Sequence, residues 1–331
     1  MAYPAPLEVL IVGAGHYARN LISPKYRKNP GIHICGVVSS SATDKSLETT
    51  SLSGVTIYKT IEDFILYNGR SSIAGIIADL CLHQTELNSY VEKMVEAGFR
   101  NFILPKPIAS TEDELHKFST LRDQYGLKIS VASQWFYSEI VRELHRLIGC
   151  HDGKVTAELN FEQCFSAAQR EKYITTNALL PHMLQIIHTT NICNLSKEHE
   201  TVILDQCEDY LKIKIRPDNS SFADSVILYT DLTSQNKRRE LTVYSEESRA
   251  SQLLSADFLG HFDDDGNEIH RIYHAGKGND IIEDNLLAMT EEHVRFWQDD
   301  NYTGSFLSFE RYLPVAKEQI RINRMLKDLR S

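Results

Sequence analysis

The chain of 331 residues has no long apolar run. None approaches the ~18 residues a membrane-spanning helix requires, so no membrane partner is expected. It has no basic surplus either: 35 Lys and Arg stand against 45 Asp and Glu, a net charge of −10. A surface for nucleic-acid phosphates needs clustered Lys and Arg, so nucleic acid is excluded as a partner. The six cysteines (Cys35, Cys81, Cys150, Cys164, Cys193, Cys207) show no paired short spacing. That excludes a disulfide frame or a structural zinc site and points to reduced thiols in a cytoplasmic protein. The opening Met1-Ala-Tyr-Pro-Ala-Pro lacks a basic stretch followed by an apolar core, so no secretory signal is read there. The Asn-x-Ser/Thr triplets at Asn194, Asn219 and Asn301 are then chance matches. No His-x-x-x-His, Cys-x-x-Cys or nucleophile elbow occurs, which leaves metal and acyl-transfer chemistry without support. Asp263-Asp-Asp-Gly266 lacks the alternate acids of a calcium loop and reads as a hairpin turn.

What is present is an ordinary globular composition, 42% hydrophobic and 24% charged, in a chain long enough for two domains. Leu7 to Val12, Ile32 to Ser39, Ile73 to Ala78, Asn101 to Leu104 and Lys128 to Ala132 are short apolar runs that read as buried parallel strands. Helical patterns separate them: Tyr17 to Ser23, stopping before Pro24, then Ile61 to Tyr67, Glu86 to Ala97 and Thr111 to Tyr125. The last opens on a Thr111-Glu-Asp-Glu114 capping box. Strands alternating with helices imply right-handed βαβ units and a doubly wound parallel sheet over residues 1–135. From residue 136 to 331 the rhythm changes. Val155 to Phe165, Val202 to Ile215, Ser225 to Leu232 and Arg239 to Tyr244 are longer and alternate, as in an open, mostly antiparallel sheet. A helix over Leu179 to Cys193 interrupts them, and helices over Asp284 to Gln298 and Pro314 to Leu329 close the chain and should pack back on the first domain. This second, α+β domain is expected to bind substrate. Its open face should be apolar enough to form a homodimer or homotetramer.

Gly13-Ala14-Gly15-His16-Tyr17-Ala18 follows the first strand and opens a helix, which is the dinucleotide fingerprint. The first glycine permits the tight turn, the second lets backbone N–H groups approach a pyrophosphate, and small Ala18 lets helix and strand pack closely. His16 and Tyr17 would shield the pyrophosphate. The second strand ends Ser39-Ser40-Ser41, and the first acid after it is Asp44. A carboxylate there would repel a 2′-phosphate, whereas three hydroxyls can donate to one. The loop has no Arg, and Lys45 is its only nearby cation. The pattern favours NADP(H) over NAD(H). Leu82 and His83, just after the third long strand, fall where cofactor and substrate meet in such sheets.

Gly98-Phe-Arg-Asn-Phe-Ile-Leu-Pro105-Lys106-Pro107 is a strand ending in a lysine held between two prolines. With Gly13-Ala-Gly15, Met94-Val-Glu-Ala-Gly98, the amide-ended strand to Gln134, and Pro181-His182, it makes the chain resemble the glucose-fructose oxidoreductase/inositol dehydrogenase family of NAD(P)-dependent oxidoreductases. The likeness covers nearly the whole chain. It implies that Lys106 and His182 are catalytic, that Pro105 and Gln134 line the cofactor, and that Tyr173 and Gln185 face the substrate. Departures stand out: Pro105 replaces the family glutamate, Leu82-His83 replaces Thr-Pro, and no Arg follows Gln134. Either His182 or Gln185 occupies the family histidine position. The implied chemistry is hydride transfer between nicotinamide and a sugar, cyclitol or keto sugar. Two alternatives stay open, reduction of a C=N bond and non-catalytic regulation by a dinucleotide-binding protein.

Overall fold

The computed structural model describes residues 5–148, 155–172, 175–245, 252–258, 270–273, 279–299 and 308–329. The chain divides into two compact units, Met1–Ser133 with Leu286–Tyr312, and Gln134–Asn285 with Leu313–Ser331.

The first unit is built on a six-stranded parallel sheet. Its strands are β1 (Leu7–Val12), β2 (Ile32–Val38), β3 (Ile57–Tyr58), β4 (Ile77–Leu80), β5 (Asn101–Pro105) and β6 (Lys128–Ala132). Their order is β3-β2-β1-β4-β5-β6. Val9 to Val12 and Ile77 to Leu80 are buried along their whole length, as strands covered on both faces must be. The chain winds outward from β1 to β3, then crosses back to β4 on the other side of β1. The carboxyl ends of β1 and β4 therefore flank the point where winding reverses, which is where such sheets bind ligands.

Four local readings are corrected here. The helix after the glycine turn does not stop at Pro24. A wide-turned π-helical stretch over Tyr17–Ile22 runs directly into an α-helix over Ser23–Lys28. In the wide register each N–H reaches five residues back, as that of Ser23 does to the Ala18 carbonyl. Pro24 has no N–H to offer the Arg19 carbonyl. The hydroxyls of Ser23 and Ser51 donate to it instead, at 3.3 and 3.2 Å, so the proline leaves no acceptor stranded. Next, Ile73 belongs to a short 3₁₀ turn over Arg70–Gly75, and the strand behind it runs to Leu80, so it includes Asp79. Pro314, in turn, lies inside its helix, which begins at Phe309, not at the proline. The capping box of Glu112–Tyr125 is also displaced by one residue: Thr111 accepts from the Glu114 N–H, but the Glu114 carboxylate takes the N–H of Ser110 at 2.7 Å.

The second unit holds a seven-stranded sheet of β7 (Val155–Glu162), β8 (His199–Gln206), β9 (Tyr210–Pro217), β10 (Ser225–Asp231), β11 (Arg238–Ser245), β12 (Gln252–Asp257) and β13 (His270–Tyr273), in the order β13-β12-β11-β7-β10-β9-β8. It is mixed: β7 with β10 and β12 with β13 are parallel, the other pairs antiparallel. The stretch expected as one strand from Val202 to Ile215 is a hairpin, because the chain turns at Cys207-Glu208-Asp209. One face buries Leu159 and Phe161 of β7, Ile213 of β9, Leu228 of β10 and Leu241 of β11, and the helix Leu180–Thr189 packs against β10. The opposite face is not the apolar surface expected. The alternate positions there include Glu158, Asn160 and Glu162 on β7, Ile227, Tyr229 and Asp231 on β10, and Lys212 and Lys214 on β9, so Ile227 is set among charges. Among the described residues no helix is long and apolar enough to cross a membrane.

Candidate functional site

The turn after β1 is closed from both sides. The Gly13 N–H donates to the Val38 carbonyl at 2.9 Å, and the Cys81 N–H donates to the Val12 carbonyl at 2.8 Å. Gly13 sits at φ +97°, and a Cβ there would lie 2.6 Å from the Cys81 carbonyl oxygen and 3.0 Å from Leu82. Only glycine fits. Gly15 is the opposite case: a Cβ there would meet nothing within 4 Å. Its backbone faces open space at the head of a helix, the setting in which N–H groups and the helix dipole receive phosphate. Ala14 and Ala18 are buried beneath. The residues present therefore fit a dinucleotide. His16 is exposed and pairs its Nδ1 with the Asn20 amide at 2.9 Å.

The Ser39–Ser46 loop lies beside this turn. Ser39 is half-buried and its Oγ accepts the Ala42 N–H, while Ser40, Ser41 and Lys45 are exposed. Lys45 is not the only cation there. Arg19 donates through Nε to the Ala14 carbonyl at 2.5 Å and through Nη1 to the Ser46 carbonyl at 3.5 Å, bridging turn and loop. Lys59 donates to the Ala42 carbonyl at 2.5 Å. Sequence order hid both, because Arg19 comes from the helix and Lys59 from the end of β3.

Beneath the turn is a group the sequence reading passed over. Asp79, 2% exposed, accepts a hydrogen bond from the Tyr26 hydroxyl at 2.8 Å. Burial pushes its pKa up to about 6, although the hydrogen bonds from Tyr26 and Cys81 hold it down in part. The Tyr17 phenol is pushed well up by burial and then by the Asp79 carboxylate and Cys81. Tyr17 is thus close enough to the carboxylate to feel its charge. The signal was an acid inside an apolar strand.

Because all six strands run the same way, their carboxyl ends share one edge of the sheet. Gly13, Ser39, Leu82, His83, Pro105 and Lys106 all lie along that edge. Pro105 and Lys106 are half-buried. His83 caps the helix Gln84–Ala97, its Nδ1 lying 2.9 Å from Thr85 Oγ1.

In the second unit, Gln134 opens a short 3₁₀ turn that buries Trp135. The ring of half-buried His182 stands edge-on to Trp135, with centroids 5.9 Å apart. Gln185, one turn later on the same helix, is buried. Tyr173 lies outside the described residues. Arg239, which no motif singles out, places its guanidinium over Trp135 and Phe161, 5.8 and 5.6 Å from the ring centres.

No protein-family model and no curated sequence matches the chain. Solved structures do share its fold. A structure of GenD2 from gentamicin A biosynthesis, in complex with NAD, superimposes with a TM-score of 0.70 at 13% identity, covering 97% of this chain and 94% of that one. The WlbA (WbpB) dehydrogenase from Thermus thermophilus, in complex with NAD and UDP-GlcNAcA, gives 0.66 at 9% identity, over 96% and 94%. An oxidoreductase from Agrobacterium radiobacter, with NAD+, L-tartaric acid and magnesium, gives 0.67 at 13% identity, over 96% and 95%. The chain therefore has the fold of NAD-dependent dehydrogenases of the glucose-fructose oxidoreductase/inositol dehydrogenase type.

Proposed function

We propose that the chain is an NADP(H)-dependent oxidoreductase that moves a hydride between nicotinamide and a small polar molecule of the sugar, cyclitol or keto-sugar class. The observation that carries this is the glycine turn at the reversal of the sheet, tight at Gly13 and open at Gly15. The phosphate-facing backbone binds the dinucleotide, which when bound supplies the hydride chemistry. The absence of an acid between Ser39 and Ala42, with Arg19, Lys45 and Lys59 around the loop, supports NADP(H) over the NAD named with the similar structures. Leu82, His83 and Pro105 line the cofactor along the same sheet edge.

Lys106 hydrogen-bonds the reacting heteroatom and steadies the charge that develops on it. His182 exchanges the proton. Its ring is fixed against Trp135, so the imidazole is oriented before substrate arrives. Gln185 is buried one turn away, which favours His182 over Gln185 for proton exchange.

The second unit pairs with a second copy through the charged sheet face. Acids on β7 and lysines on β9 occupy different strands, so a twofold axis can set one row over the other. A strictly monomeric mass by light scattering at micromolar concentration contradicts this pairing. The thiols of Cys35, Cys81, Cys164, Cys193 and Cys207 are free, which suits the reducing cytoplasm. The function is tested by a screen for NADPH oxidation and NADP+ reduction over keto sugars, cyclitols and sugar acids. Tight NADPH binding with no turnover of any of them would favour the regulatory alternative.

A further inference from the structure

Among the described residues Arg239 is a buried cation with no acid beside it. It stands on β11 on the covered face of the sheet, paired in register with Phe161 of β7, and is 8% exposed. Trp135 and Phe161 lie against its guanidinium, and those two rings pack edge to face on each other and on Phe258. Its Nη2 donates to Gln163 Oε1 at 3.1 Å. Among the described residues the buried Nε has no acceptor. Among the described residues no carboxylate pairs with it, and burial lowers its pKa to about 10.

A charge removed from water without a counter-ion is destabilising unless something offsets it. Stacked rings offset part, because a guanidinium over an aromatic face is attracted to it. They also leave only the edge of the fork for a ligand, and that edge matches a planar carboxylate in a bidentate pair. Trp135, which carries this cation, also carries the ring of His182.

We propose that Arg239 anchors a carboxylate of the small molecule bound by the second unit, which makes that molecule a sugar acid rather than a neutral sugar. The inference rests on the oxidoreductase reading only for calling the molecule a substrate. Binding can be measured without turnover. The chain has two tryptophans, so Trp297→Phe leaves Trp135, in contact with the guanidinium, as the only fluorophore of its kind. The full-length protein in that background is titrated with glucuronate, galacturonate, tartrate and glucose, and separately with NADPH. The expected result is a saturable change in Trp135 emission with at least one of the acids and none with glucose. Arg239→Met should weaken that acid at least tenfold without altering NADPH affinity. Arg239→Lys keeps the charge but loses the fork, and should fall between the two. Equal binding of glucose and the acids, no response to any acid, or an Arg239→Met protein that melts normally and still binds the acid would each overturn the proposal. Failure of NADPH to bind would instead count against the oxidoreductase reading and leave the anion site standing.

Discussion

Replacing Asp79 by Asn removes one titration from beneath the glycine turn and leaves an acceptor for the Tyr26 hydroxyl. In the folded protein the Asp79 carboxyl has a pKa of about 6 against an ordinary 3.8. The folded state therefore holds the proton more tightly than the unfolded chain. Stability falls as pH rises between those two values and stays at its reduced level above the upper one. A difference of about 2 pKa units corresponds to about 3 kcal/mol. The introduced amide is neutral at every pH, so the variant escapes this loss. Asp79→Asn should match the wild type near pH 4 and exceed it by up to about 3 kcal/mol near pH 7.5. Urea unfolding of both proteins across that range gives the difference curve directly. A difference that does not change with pH, or a variant less stable than wild type near neutrality, would refute the reasoning.

Gly13→Ala forces a Cβ to 2.6 Å from a backbone oxygen at φ +97°, and should cost about 2 kcal/mol or more in denaturant unfolding. Ser40→Asp sets a carboxylate in the loop beside Arg19 and Lys59 and should reverse or abolish the preference for NADP(H), read by calorimetry with both cofactors; tighter NAD(H) binding by the unmodified chain would already contradict the preference. Lys106→Ala should lower turnover by roughly two to four orders of magnitude with little change in cofactor affinity, and near-full turnover would show the assignment to be wrong. His182→Ala should lower turnover and flatten its pH profile.

The parallel sheet was legible because burial on both faces writes itself as continuous apolar runs, as in Leu7–Val12 and Asn101–Pro105. The glycine turn was legible because the steric demand at Gly13 is local in sequence. What escaped depends on contacts between distant residues. Pro24 looked like a helix stop, since nothing in its neighbourhood announces that Ser51 will serve the Arg19 carbonyl. Arg19 and Lys59 looked remote from the Ser39–Ser46 loop because they reach it from other elements. Asp79 and Arg239 are each held by partners 53 or more residues away, so the neighbouring sequence does not announce their burial. The hairpin at Cys207-Glu208-Asp209 has no glycine or proline to mark it, so two strands read as one. The open sheet face was expected to be apolar. Strict alternation fixes which residues face outward, and beside Ile227 and Tyr229 many of them are charged.

The most direct test of the account is an NADPH titration of the wild type beside Gly15→Ala. Nothing lies within 4 Å of the added methyl, so the variant should fold with unchanged stability. The methyl would occupy the space through which the backbone approaches the pyrophosphate. The account predicts one NADPH bound per chain by the wild type, at least tenfold weaker binding by Gly15→Ala, and superimposable unfolding curves. NADPH binding that is absent in the wild type, or unaltered in the variant, would contradict it.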